Sequence, residues 1–326
     1  MTNFAFVFPG QGSQSVGMGR ALSATSPAAA AIFATADEAL GEAISALAWT
    51  GPEDQLNRTE HAQPALLATS IAYLAAAHER ASVTGMTLPN PRFFAGHSMG
   101  QYSAMVAASA LTLPDGIRLV RERGRHMQAS GEGRDGAMAA ILGLDDAAIP
   151  DLVRQASAHG VFAVANRNSP GQVVVSGERS AIEAAAEIAK ALGAKRAIVL
   201  PVSVAAHSPL MAQAAEAMRQ ALESVEFREP TAALLANADS RPILDGEAAR
   251  AELVEHLTAG VDWVHAVERM TADGVDTFIE MGPGKVLTNL IKRIAPDATA
   301  IAMDDALADN RMDLPILVPA DPGNLA

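Results

Sequence analysis

Apolar positions fall into short runs and longer helical stretches that alternate along the first third of the chain. Phe4 to Phe8 is an apolar run broken at Pro9-Gly10, which predicts a buried strand and a turn. An alanine-rich helix is expected over 27–40, with Asp37 and Glu38 inside it. A second, mostly apolar helix is expected over 63–81. A strand over 92–96 then feeds a helix over 98–111. Such alternation predicts a mostly parallel sheet covered by helices.

The middle changes style. It reads as a strand over 138–143, a helix from 145 to 158, and short β-branched runs at 161–165 and 172–176. A turn-forming stretch at 166–171 separates the two runs. A helix over 178–192 ends at Gly193, and a strand follows over 196–202. The order β-α-β-β-α-β is the ferredoxin-like split arrangement. The alternation then resumes, with helices expected over 209–225, 248–257, 264–272 and 285–294 and strands over 232–236 and 276–280. The segment after Pro296 is acidic and shows no clear pattern. The expected fold class is therefore α/β. An α/β-hydrolase-like large subdomain with a mostly parallel sheet (1–129 and 205–326) carries an inserted ferredoxin-like small subdomain (130–204).

The length of 326 residues agrees with two units at about 150 residues each. Lys and Arg number 24 against 37 Asp and Glu, a net charge of −13, which repels a polyphosphate backbone and argues against a nucleic-acid partner. Cysteine is absent, so disulfides, thiolate nucleophiles and thiolate metal sites are excluded. The N-terminus lacks a basic export region, and apolar stretches such as 104–113 fall short of the ~20 residues a spanning helix needs. These features predict a soluble cytoplasmic protein without a membrane partner.

Gly96-His97-Ser98-Met99-Gly100 fits the G-x-S-x-G nucleophile elbow, with a predicted strand before it and a helix after it. Such a turn lifts the serine hydroxyl out of the sheet edge and aims the helix N-terminus and the Met99 amide at a forming oxyanion. Serine needs a base. Of eight histidines, His97 adjoins the serine but points away from it, and His78, His126, His159 and His265 lie in helix-like runs. His207 lies in a loop after a predicted strand and before a helix, where α/β folds place their chemistry. Asp262, Glu280 or Asp276 could orient its ring, and so could a backbone carbonyl. Gln11, in the glycine-flanked loop leaving the first strand, could supply a second oxyanion donor. That loop is not a dinucleotide fingerprint, because Ser15 takes the last glycine position. One arginine of Arg118, Arg121, Arg123 and Arg125 could turn inward to hold a carboxylate in a bidentate fork, and periodicity does not choose among them.

Taken in order, these pieces resemble the malonyl-CoA:acyl carrier protein transacylase family. The markers are Phe-Pro-Gly-Gln-Gly-Ser-Gln at 8–14, Gln63-Pro64-Ala65, Gly-His-Ser-Met-Gly at 96–100, and Arg123-Gly124 with Met127-Gln128. Gly-Ala-Met-Ala-Ala at 136–140, Asn-Ser-Pro-Gly-Gln-Val at 168–173, His207, and Glu-Met-Gly-Pro-Gly-Lys-Val-Leu at 280–287 complete the set. The resemblance implies that Ser98 takes the acyl group, that His207 is general base and then acid, and that Gln11 and the Met99 amide form the oxyanion hole. It implies that Arg123 holds the free malonyl carboxylate and that Gln63, His97, Asn168 and His256 line the substrate site. It also implies that a main-chain carbonyl in Glu255-His256-Leu257 orients the histidine. His256 stands where the family usually has glutamine, Met99 replaces a leucine or isoleucine, and Val204-Ala205-Ala206 departs from the common sequence.

On this reading malonyl-CoA and acyl carrier protein are the partners, and the chain works as a monomer. It has no cofactor or metal of its own, since the coenzyme A thioester is substrate and the partner carries the phosphopantetheine. An acidic carrier needs a local basic face on a chain with four lysines. Lys285, Lys292 and Arg293, opposite Lys190, Lys195 and Arg196, are the expected docking rim. The rivals are a discrete acyltransferase serving a polyketide synthase, a serine thioesterase or hydrolase, and a non-catalytic carrier-binding module.

Overall fold

The computed structural model describes residues 3–131, 133, 135–200, 202, 204–308 and 316–319. Its larger sheet has six strands, in the order Thr299–Ala302, Thr277–Glu280, Phe4–Phe8, Phe93–Gly96, Ala233–Leu235 and Pro242–Ile243. The first five run parallel, and only the two-residue edge strand Pro242–Ile243 is antiparallel. Alternate side chains of each central strand enter different cores. Phe6, Phe8, Phe94, Leu234 and Ile279 face the core built on the helices Pro27–Leu40, Thr59–Val83 and Leu113–Gly131. Ala5, Val7, Phe93, Ala95, Leu235 and Phe278 face Trp263, Val267, Leu287 and Ile291 on the other side. A strand buried on both faces is apolar throughout, which is why Phe4–Phe8 reads as a continuous run.

The second sheet has the order Val261–Asp262, Phe162–Ser169, Gln172–Glu178, Gly136–Leu142 and Arg196–Val199. Each neighbouring pair among its last four strands is antiparallel, and the four carry the expected ferredoxin-like order. The helices Ile149–Ala156 and Arg179–Ala191 cover one face, with Ala139, Ile141, Val173 and Val175 packed on Leu152, Ile182 and Ala185. The fifth strand, Val261–Asp262, comes from outside the insertion and pairs parallel with Asn166 and Arg167, joining the two sheets.

Three expectations are corrected. The polar stretch 166–169 is strand rather than turn, because two bulges absorb it and Val261–Asp262 pairs its outer edge. Arg167 is satisfied there by Asp262 at 2.8 Å and Asp146 at 3.1 Å. The strand expected over 196–202 stops at Val199. Leu200 N–H still reaches Met138 O, but Val202 N–H turns back onto Leu200 O at 2.8 Å; Pro201 and Ser203 lie outside the described residues. The segment after Pro296 supplies the edge strand Thr299–Ala302 and the helix Met303–Ala308. Asp304 fastens that helix by accepting from the Tyr73 hydroxyl and from Gly284 N–H. The remainder of the tail, apart from 316–319, lies outside the described residues. Among the described residues, no helix is long and apolar enough to cross a membrane.

Candidate active site

Ser98 sits at the C-terminal end of the strand Phe93–Gly96 and just before the helix Gly100–Ala107. Its φ is 53°, the left-handed region that residues with a Cβ disfavour. The flanking glycines are sterically required. A Cβ on Gly96 would stand 2.0 Å from the carbonyl carbon of Gly100, and one on Gly100 would stand 2.2 Å from Phe8 O. The helix is shorter than the expected 98–111 because Ser98 and Met99 form the elbow and Ser109 turns left-handed after its end. The amides that follow are engaged, Gly100 with His97 O, Gln101 with Ser98 O and Tyr102 with Met99 O. The Met99 N–H precedes them at the helix mouth, directly after Ser98 in the chain.

His207 approaches from the chain that returns out of the small sheet. Its Nε2 lies 2.8 Å from Ser98 Oγ. Its Nδ1 lies 2.7 Å from His256 O and 3.0 Å from Ala259 O. Carbonyls only accept, so Nδ1 carries the hydrogen and Nε2 presents a lone pair to the serine hydroxyl. Burial, and then the Arg123 charge, push this imidazole down to about 4, against the two carbonyl bonds that raise it. The ring is therefore neutral at pH 7 and ready to accept a proton.

Of the residues weighed for orienting His207, the structure selects backbone. Asp262 is paired with Arg167, Glu280 accepts from Leu287 and Thr288 N–H, and Asp276 accepts from Asn3 N–H. The choice among arginines is equally clear. Arg118 pairs with Asp115, Arg125 with Glu122 and Glu60, and the buried Arg121 with Glu42. Arg123 is 1% exposed and pairs with no carboxylate among the described residues. Its Nη2 lies 3.2 Å from Ser98 Oγ and 3.3 Å from His256 Nε2, and its Nε has no partner. A buried cation without a counter-ion is costly, and an incoming carboxylate would offset that cost.

His256 is buried, and burial holds it well below the ordinary histidine value. Its Nδ1–H donates to Glu252 O at 2.9 Å, which leaves Nε2 to accept from Arg123. Its side chain thus meets the arginine while its carbonyl meets His207. Gln11, exposed in its loop, donates to Thr59 Oγ1 and accepts from the fully buried Gln63, both at 3.4 Å. His97 Nε2 meets Asn168 Oδ1 at 2.9 Å across the two sheets, and no hydrogen bond links its ring to Ser98 Oγ among the described residues. Asn237 and Glu252, which carry no motif, also belong to the site. Asn237 holds the Ser98 N–H, and Glu252 holds the Asn237 N–H. Glu252 stands one helical turn before His256 in Gly246–Thr258, which is its sequence signal; Asn237 has none.

Of the expected docking cations, Lys285 stands at the N-cap of the helix Val286–Ile294, and Lys292 and Arg293 lie in its last turn. Lys285 precedes it and pairs with Asp305 at 3.3 Å, Lys292 is exposed, and Arg293 donates to Gln172 of the small sheet at 3.0 Å. Of the opposite group, Lys190 pairs with Glu187 and Arg196 is exposed on the edge strand.

Fold and site together bring a serine hydroxyl, an imidazole and a buried guanidinium to the end of a parallel sheet. A family model described as acyl transferase domain matches residues 5–308. The malonyl CoA-acyl carrier protein transacylase of Escherichia coli (strain K12) is 44% identical over 308 residues, covering 94% of this chain and 98% of the relative. Among solved structures, an acyl-carrier-protein S-malonyltransferase from Burkholderia pseudomallei superposes with a TM-score of 0.89 at 40% identity, covering 94% of this chain and all of that one. A malonyl-transacylase in complex with its type II polyketide acyl carrier protein matches with a TM-score of 0.88 at 40% identity, covering 95% of this chain and 100% of that one. The chain belongs to the acyl transferase family and, within it, to the malonyl-CoA:acyl carrier protein transacylases.

Proposed function

We propose that this protein transfers the malonyl group of malonyl-CoA to the phosphopantetheine thiol of acyl carrier protein, through an ester on Ser98, in fatty-acid biosynthesis. Ser98 Oγ attacks the thioester carbonyl carbon while His207 Nε2 takes the hydroxyl proton. The Met99 amide and Gln11 receive the oxyanion, each contributing about 3 kcal/mol. Collapse breaks the carbon–sulfur bond, and His207 returns the proton to the departing coenzyme A thiolate. The carrier thiol then repeats the sequence in reverse, with His207 as its base. Every step uses side chains and backbone of this chain, so no cofactor enters the scheme.

The observation that carries the reading is Arg123, buried beside Ser98 and without a carboxylate partner among the described residues. It favours an acyl group ending in a carboxylate, because acetyl would leave it unpaired. Gln63, His97 and Asn168 line the space around the acyl chain. We assign 1–129 and 205–326 to the large unit, 130–204 to the small one, and the cytoplasm as the place of action.

Intact-mass spectrometry tests the reading. Malonyl-CoA should leave a malonyl adduct that Ser98→Ala lacks and that added carrier protein removes. Release of free malonate to water at the rate of transfer would make the protein a hydrolase instead. Arg123→Ala should lose preference for malonyl over acetyl, and unchanged selectivity would remove its assigned role. A polyketide-synthase acyltransferase would use the same residues, a reading kept in view by the solved complex with a polyketide carrier. Comparing kcat/KM for fatty-acid and polyketide carriers separates the two.

A further inference from the structure

We infer that Asn237 is a positioning residue that braces the nucleophile elbow and that Glu252 fixes Asn237 in place, both acting through the backbone around Ser98. The inference rests on Ser98 being the nucleophile. Parallel pairing between Phe93–Gly96 and Ala233–Leu235 reaches only Phe93 with Ala233 and Phe94 with Leu234. Beyond that point the first strand curls into the elbow. The Asn237 side chain spans the gap, with Oδ1 accepting Ser98 N–H at 2.8 Å and Nδ2 donating to Gly96 O at 3.1 Å. One planar amide thus ties down the backbone on both sides of His97.

The chemistry of the two partners suits an amide. Ser98 offers a donor and Gly96 an acceptor, so the brace must present one acceptor and one donor a fixed distance apart. Asn237 is 4% exposed and is itself pinned at both ends of its own backbone. Its N–H donates to Glu252 Oε1 and its carbonyl accepts Asp262 N–H, each at 2.7 Å. Such over-determination is what holds a residue with a Cβ at the φ of Ser98. Glu252 is 1% exposed, and its own carbonyl receives His256 Nδ1. One turn of the helix Gly246–Thr258 therefore sets the elbow through its Glu252 carboxylate, the Arg123 acceptor through His256, and His207 through the His256 carbonyl.

The test measures the rate of malonyl-Ser98 formation and its pH profile in purified variants of the full chain. Asn237→Ala should lower kcat by about 10²-fold with KM for malonyl-CoA unchanged, since the elbow moves but the arginine site does not. Asn237→Asp is the sharper variant. Its ionised carboxylate can accept from Ser98 but repels Gly96 O, whereas its protonated form restores a donor. The titratable and charged groups around it are Glu252 with Arg241 behind it, Asp262, His97, and, across Ser98, His207 and Arg123. The ratio of Asn237→Asp to parent kcat should rise about tenfold or more from pH 8 to pH 5. Glu252→Leu should lower kcat, and Glu252→Gln, which keeps an acceptor for Asn237 N–H, should restore it to within about twofold.

A raised KM with unchanged kcat in Asn237→Ala, or a pH-independent ratio in Asn237→Asp, overturns the inference. Should the Asn237 variants fail to fold by circular dichroism, equal losses in Glu252→Leu and Glu252→Gln overturn it. Failure of Ser98 as nucleophile would appear separately, as an adduct that survives Ser98→Ala.

Discussion

At the scale of single residues, the site is governed by which buried polar atoms have partners. His207 stays neutral because it is buried next to a guanidinium, and its hydrogen is committed to two carbonyls. Free-enzyme kcat/KM for malonyl-CoA is thus expected to stay level from about pH 8 to about pH 5 and to be half-lost near pH 4. A stopped-assay pH series checks this, and a midpoint near the ordinary histidine value of ~6.5 would refute it. The same depression makes the unfolded chain the stronger proton acceptor at this position. Its contribution to stability is fully present above pH ~6.5 and is lost as the pH falls toward about 4. His256 supports Arg123 with a side-chain nitrogen and His207 with a backbone oxygen, so its substitutions separate the two effects. His256→Leu keeps the carbonyl and removes the acceptor for Arg123. KM for malonyl-CoA is expected to rise about tenfold with little change in kcat, while His256→Gln stays near the parent. Steady-state kinetics with malonyl-CoA as the varied substrate reads both.

At the scale of elements, polar residues decide boundaries that apolar periodicity leaves open. The continuous apolar run of Phe4–Phe8 and the helical pattern of Pro27–Leu40 are local properties, and both elements are where the sequence places them. Residues 166–169 have turn composition, yet they extend a strand because distant Val261 and Asp262 supply its partners. The tail strand Thr299–Ala302 is likewise set by its parallel neighbour Thr277–Glu280. The helix Val286–Ile294 begins on Glu280, whose buried carboxylate accepts the Leu287 N–H at 3.0 Å and the Thr288 N–H at 2.7 Å. Glu280→Ala leaves both donors without that partner and should destabilise the fold by about 1–3 kcal/mol. Chemical denaturation measures the change, and a loss below about 0.5 kcal/mol would show that the cap contributes little.

At the scale of the whole molecule, Ser98 follows a strand of one sheet, and Asn168, bonded to the neighbouring His97, lies on a strand of the other. The bond from His97 to Asn168, the bond from Asp262 N–H to Asn237 O and the Arg293 contact to Gln172 link the two sheets around Ser98. The net charge of −13 gives no attraction for an acidic carrier, and we propose that the cations on and before Val286–Ile294 form a local docking face. Reversing Lys285, Lys292 and Arg293 to glutamate should raise KM for the carrier protein severalfold and leave KM for malonyl-CoA unchanged. Equal rises for both substrates would remove this face as the docking site.

The sequence by itself determined the fold class, the inserted unit and the serine, because each is written in local spacing: alternating periods, and glycines flanking a tight turn. Position in a loop also singled out His207. Tertiary structure alone decided that carbonyls rather than Asp262, Asp276 or Glu280 orient the histidine, and that Arg123 rather than its helix neighbours faces the serine. It also brought Asn237 and Glu252 to the elbow. Those choices depend on which donors and acceptors meet after long stretches of chain are folded together, and no pattern along the chain encodes that meeting.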